Sequence, residues 1–417
     1  MSKINVKLLN KIIIINLFII IIFTSCNFEE STEQHIDKYL SRNYSKLVLD
    51  GNDDFSSFKL LDKDLKKNEM FLTGEIHGTT MNTELELSFL KYLKEKANIK
   101  YYLSELSYSD AYFLNKYLDT GDENILKELF EELKDTPGCT KETYNKWIKV
   151  YEFNKALPND KKIKVIGIDI EHQENIAIHC MYSLMPKNES PKKIRPLIKK
   201  LQDVYENNGV TAKFAKDFSL DLKKDINENY DIYKEYLGEK FFDFNLINDN
   251  LCTSFKAYND MTNFNKIRDM QMYENFINIY NNLPKGKFYG QFGNAHINQH
   301  NMYDDTYSLA SLMNNKNSPV KGKVISIIYV YNSCKIFNPL NAQTIHTITT
   351  LKEDNIFKSY LETNTTLFKL NGWNSPFDKG LIWELLSPGG ILTKGVTTDY
   401  YQYIVVVKNS QPMEPIK

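Results

Sequence analysis

The stretch Glu69–Gly78, EMFLTGEIHG, decides how this chain is read. Met70, Phe71 and Leu72 form a run apolar and short enough for a buried strand. The run ends in Gly74-Glu75-Ile76-His77-Gly78, a carboxylate and an imidazole between glycines. Such groups are costly to bury unless paired or used, so Glu75 and His77 belong either to a surface turn or to the mouth of a site. In extended chain the two side chains point the same way, because a strand alternates with period two. Gly74 and Gly78 permit a sharp exit and a close approach by a ligand. A carboxylate beside a histidine holds its tautomer and raises its basicity, which a general base near neutral pH needs.

Working outward, the same grammar repeats. NTELELSFLKYLKEKA, from Asn82, has helical spacing, and IKYYLSE, from Ile99 to Glu105, reads as a second strand. KIKVIGIDI, from Lys162 to Ile170, is a third strand, GKFYGQF, from Gly286, a fourth, and GKVISIIYVYN, from Gly322, a fifth. Strands alternating with helices imply an α/β fold with a largely parallel central sheet flanked by helices, its strands apolar because both faces are covered. Between the third and fourth strands the chain reads as helical, a long insertion over about 185–284. The tail from about Phe337 carries YYQYIVVVK and Gly/Pro turns, consistent with extra strands at the sheet edge.

The 417 residues carry 52 Lys+Arg against 53 Asp+Glu, a net charge of -1, and 42% hydrophobic residues. That balance disfavours nucleic acid as a partner and leaves enough apolar surface for a core. Lys3, Lys7 and Lys11 precede the apolar run from Ile12 to Phe23, which falls short of the roughly 20 residues that span a bilayer. Basic, then apolar, then small residues is the order of a signal peptide. The small residues stop at Cys26, which resembles a bacterial lipobox. We expect a signal peptide over 1–25, lipidation at Cys26, a tether and first helix over 26–55, and one α/β domain over 56–417. That places the protein on the outer face of the cell membrane, anchored through Cys26. Cys139, Cys180, Cys252 and Cys334 are widely spaced, which allows one or two disulfides and argues against a cysteine zinc site.

Four strand candidates end in chemistry-bearing residues: the first in Glu75 with His77, the second in Glu105, the third in Asp169, and the fourth runs into His296. In open α/β sheets ligands bind outside the carboxyl ends of the strands, so these groups should converge on one rim. Taken singly, Asp169 reads more readily as a helix cap, and Glu171-His172 as a solvated loop. His35, His179, His300 and His346 read as structural. Nucleophile-elbow, phosphate-loop, dinucleotide and His-Glu-x-x-His signatures are missing, which leaves activated water as the attacking group.

LTGEIHGTTMN, LSELSYSDAYFLNKYLDTGDEN, IKVIGIDI, KIRDMQMYENF and QFGNAHI follow in the order seen in erythromycin-esterase-like proteins. The resemblance covers roughly Glu69 to His296, and the superfamily includes ChaN-like haem-uptake lipoproteins and the TraB/Tiki group. It implies that Glu75, His77, Glu105 and His296 are catalytic. Arg268, with Asp169 and Asp269, would bind substrate. On a helix Arg268, Met272 and Asn275 share a face, so Arg268 can reach the sheet rim. The esterases carry His-Asn-x-His where this chain has Gly293-Asn294-Ala295-His296. The two Gly-x-x-His motifs, GEIH and GNAH, are closer to the Tiki/TraB arrangement, which implies a divalent metal on His77, Glu105 and His296. The expectation is a membrane-anchored hydrolase acting on a small-molecule or ester substrate, with His77 activating water and Glu75 orienting it. The alternatives are capture of haem or another ligand without chemistry, and a Tiki-like metal-dependent peptidase.

Overall fold

A computed structural model describes residues 32–49, 51, 54–134, 136–300, 307–337, 344–351, 355–380 and 395–416. The expected signal segment and Cys26 lie outside these. Ten strands are described: β1 (Tyr44–Lys46), β2 (Met70–Glu75), β3 (Ile99–Ser107), β4 (Lys164–Asp169), β5 (Lys287–Gly293), β6 (Val324–Asn332), β7 (Cys334–Phe337), β8 (Ile345–Ile348), β9 (Thr365–Lys369) and β10 (Tyr403–Lys408). Eight form one sheet in the order β1-β9-β10-β6-β2-β5-β3-β4, and β7 pairs with β8 as a separate hairpin. The six strands from β10 to β4 run parallel, while β9 is antiparallel to both β10 and β1. This is the α/β fold expected. The late strand YIVVVK does not lie at the edge as expected, however: β10 is flanked by β9 and β6.

The longer helices are α1 (Thr32–Leu40), α2 (Thr80–Ala97), α3 (Tyr108–Thr120), α4 (Glu123–Glu132), α5 (Lys141–Ala156), α6 (Glu174–Leu184), α7 (Arg195–Glu206), α8 (Ala212–Glu228), α9 (Tyr230–Leu237), α10 (Phe241–Asn259) and α11 (Phe264–Asn282). Their starts are written locally: Ser107 caps α3 in a reciprocal box with Asp110, and Thr140 caps α5 by accepting from Thr143 N. Strand alternation sorts the core into two layers. Phe71, Tyr102 and Tyr289 pack with Phe89 of α2 and Trp147 of α5 on one face. Met70, Leu72 and Leu103 pack with Met272 and Phe276 of α11 on the other. The helical stretch between β4 and β5 is not a detached domain, because Asn275 of α11 donates through Nδ2 to the Ile168 carbonyl of β4 at 2.8 Å. Among the described residues no helix is long and apolar enough to cross a membrane, and Cys180, Cys252 and Cys334 are free thiols.

Candidate active site

β2, β5, β3 and β4 are neighbours with aligned carboxyl ends, and register opposes Glu75 to Gly293. β3 carries an irregularity near that end. Its pairing with β4 passes from Ser104–Gly167 to Ser107–Asp169, three steps against two, so one residue bulges. Gly167 is required there, since a Cβ would lie 2.0 Å from the Ser107 carbonyl. The bulge turns Glu105 toward β5, where its Oε2 accepts from Gly293 N at 2.6 Å. A Cβ built on Gly293 would sit 3.5 Å from His77 Nε2, 3.6 Å from His296 Cδ2 and 3.7 Å from Glu105 Oε2. Groups from three of the strand ends therefore meet around one glycine.

His77 Nδ1 pairs with Glu75 Oε1 at 2.6 Å, and Gln291 Nε2 donates to the other Glu75 oxygen at 3.2 Å. The two glycines of the motif serve packing rather than a ligand. A Cβ on Gly74 would lie 2.4 Å from Ile297 Cγ1, and Gly78 has φ +101° with the Phe337 carbonyl 2.4 Å from its would-be Cβ. Tyr331 fixes the turn, donating to Asn82 Oδ1 at 2.9 Å and accepting from Ile76 N at 3.0 Å.

Arg268 reaches the rim as its helical face predicts. Its Nε donates to Asp169 at 2.9 Å, and Nη2 bridges Asp169 Oδ2 and Glu105 Oε1, the latter at 2.6 Å. Asp169 is thus a fully buried partner of Arg268 rather than a helix cap. His296 Nδ1 pairs with Asp269 Oδ1 at 2.7 Å, while its Nε2 lies 3.4 Å from Glu105 Oε1 and 3.4 Å from Arg268 Nη1. Asp269 also accepts from Leu309 N at 3.0 Å. Asp169, Asp269 and His296 stand behind the surface, and Glu75, His77, Glu105 and Arg268 line a cleft of about 490 Å³.

Burial lowers the proton affinity of His77, but the hydrogen bond and charge of Glu75, then the charge of Glu105, outweigh it and raise the imidazole to about 9. Burial likewise opposes a charge on His296, and Asp269 with Glu105 outweigh it, raising the ring to about 10. Burial would push Glu105 and Asp169 up. The Arg268 guanidinium, helped by His296 at Glu105 and His172 at Asp169, instead holds both below the ordinary carboxylate range. At neutral pH the rim is a lattice of fixed charges of both signs, balanced by contact.

The expected metal set does not fit this lattice. Glu105 has both oxygens engaged by Arg268 and Gly293, and His296 has Nδ1 on Asp269 with Nε2 beside a guanidinium. Among the described residues no group of three or more His, Cys, Asp or Glu side chains is disposed to hold a metal ion.

The loop after β4 departs from expectation. Glu171 is buried, accepting from Ser109 Oγ and N, and burial raises it to about 8. His172 lines the cleft, with Nε2 3.3 Å from Asp169 Oδ2 and Nδ1 2.8 Å from Tyr258 Oη. The reading as a solvated loop fails because the chain turns back under α3 immediately after β4. The sequence reading also missed Glu86 and Lys146, a buried pair at 2.8 Å beside Trp147, and Gln291, all on the cleft wall. A carboxylate and a lysine on the apolar faces of α2 and α5 were the available signals. His300 packs on Tyr400, His179 lies between Phe113 and Tyr205, and His35 faces Asn374 Nδ2 at 3.4 Å. His346 is on β8.

No protein-family model matches the chain, and no curated protein does. Solved structures do. A Bacillus cereus protein superposes with a TM-score of 0.68 at 18% identity, covering 92% of this chain and 99% of its own. A succinoglycan biosynthesis protein gives 0.68 at 15% identity over 93% of this chain and 98% of its own. A mutant of the erythromycin esterase EreC, in its open conformation, gives 0.62 at 12% identity over 88% of this chain and 97% of its own. These likenesses establish the shared α/β fold over nearly the whole chain.

Proposed function

We propose that the protein is a hydrolase, an esterase in style, that activates water with His77. The carrying observation is the asymmetry of that ring: Nδ1 is held by Glu75, while Nε2 stands beside Gly293 and Glu105 in the cleft. In its neutral form Nε2 takes a proton from water as the water oxygen attacks the ester carbonyl. The carbon–oxygen ester bond then breaks, the proton passes to the departing alkoxide, and acid and alcohol leave. Arg268, a cation lining the cleft, would stabilise the oxyanion, held in place by Asp169 and Glu105. His296, on Asp269, would fix Glu105 from behind. The fold shared with an erythromycin esterase agrees with this chemistry. By the same reading Cys26 carries a lipid, and the enzyme works on the outer face of the membrane.

The test is a panel of ester, amide and peptide substrates with chelator-treated protein. Ester cleavage by the wild type, lost in a folded His77→Ala variant, supports the reading. Undiminished turnover in that variant overturns it, as does a Soret band from stoichiometric haem in protein that cleaves nothing.

A further inference from the structure

The cleft is lined by apolar side chains as well as by charged ones. The apolar ones include Leu114 of α3, Leu129 and Phe130 of α4, Leu133, Trp147 of α5, and Met413. All of these but Met413 belong to the core layer on the same sheet face as Phe71. Glu86 and Lys146 line the same cleft and pair with each other at 2.8 Å, with the Lys146 ammonium 4.7 Å above the Trp147 ring.

Met413 reaches the cleft because its segment is laced to both sides of it. Thr80 N donates to the Gln411 carbonyl at 2.9 Å and Met413 N to the Gly78 carbonyl at 2.9 Å, next to His77. On the other side Lys141 N donates to the Glu414 carbonyl at 2.8 Å and Ile416 N to the Cys139 carbonyl at 3.1 Å. Lys141 Nζ holds the Glu414 carboxylate at 2.6 Å, and Thr140 Oγ1 lies 3.6 Å from Met413 Sδ. The strap thus ties the turn bearing the base to the loop that leads into α5, with a flexible thioether at the junction.

Resting on the hydrolase reading, we infer that the substrate is an ester of an apolar acyl group. The acyl chain lies against Trp147 and the leucine wall, and Met413 sets how long it can be. A wall of this kind, continuous with a few converging polar groups, is how small-molecule sites combine affinity with orientation. Each methylene moved from water onto the wall should tighten binding about fourfold.

The experiment has a binding arm and a turnover arm. Straight-chain carboxylates from acetate to decanoate are titrated while Trp fluorescence is followed, with Trp147→Phe identifying the reporting ring. Affinity rising steeply with length and then levelling is expected, with Met413→Ala moving the plateau to longer chains and Met413→Trp to shorter ones. Melting curves establish that both variants fold, and Leu129→Ala serves as the enlarging variant if either does not. Equal affinity at every length, or a plateau unmoved by enlarging and filling variants, overturns the inference. In the turnover arm, length-dependent binding without cleavage of any ester leaves the apolar site standing and removes the hydrolase. Cleavage indifferent to acyl length does the reverse.

Discussion

Glu75 Oε1 lies 2.6 Å from His77 Nδ1, and that contact leaves one nitrogen of the ring to the cleft. With His77 raised to about 9, the base form is scarce at neutral pH and grows as pH rises. The kcat/KM profile should therefore climb toward a limb near pH 9. Glu75→Gln removes the hydrogen-bonded charge that raises the ring, so the limb should move to lower pH while maximal turnover falls. A limb that stays in place would separate the pH dependence from this pair.

Arg268 joins two buried carboxylates, Asp169 and Glu105. Arg268→Ala strands both, and breaking such a pair from one side costs about 3–5 kcal/mol. Urea unfolding should show that loss, and Asp169→Asn in the same background should recover part of it. Equal stability of single and double variants would mean that the carboxylates find other partners.

Gly74 and Gly78 should fail for different reasons when changed to Ala. At Gly74 the obstacle is the Ile297 side chain, so the cost, roughly 1–3 kcal/mol, should couple with Ile297→Ala in a double-mutant cycle. At Gly78 the obstacles are φ +101° and the Phe337 carbonyl, which are backbone features that no side-chain truncation relieves. Chemical denaturation of the four variants tests this, and rescue of Gly78→Ala by any side-chain change would contradict it.

Glu171 is raised to about 8 by burial, so the folded state holds a proton that the unfolded chain releases at ordinary carboxylate pH. Its contribution to stability is complete below the unfolded value and is lost as pH rises through about 8. Melting temperature should drop between about pH 5 and pH 8, and Glu171→Gln should flatten part of that drop. A wild-type curve flat across this range would show that the carboxylate is charged in the fold.

Much of this arrangement was legible in the chain. Apolar runs such as Met70–Leu72 and Val324–Tyr331 declare buried parallel strands, because period-two alternation disappears when both faces are covered. The termini of β2 and β5 were readable because glycine and polar residues interrupt those runs at Gly74 and Gly293. The spacing of Arg268, Met272 and Asn275 placed the guanidinium on the sheet side of α11.

What the chain could not declare by itself is which group ends against which. The bulge that turns Glu105 toward Gly293 depends on pairing with β4 and on Gly167 making room for the Ser107 carbonyl, residues far apart in the chain. His172 and Glu171 read as solvated loop until the turn beneath α3 encloses them, and Met413 joins the cleft only through a strap bonded to Gly78 and Cys139. Periodicity is a local property, whereas burial and charge balance are sums over neighbours from every part of the fold. The sequence therefore determined the sheet and the identity of its rim residues, and the tertiary structure alone decided their partners, their protonation and the apolar wall they face.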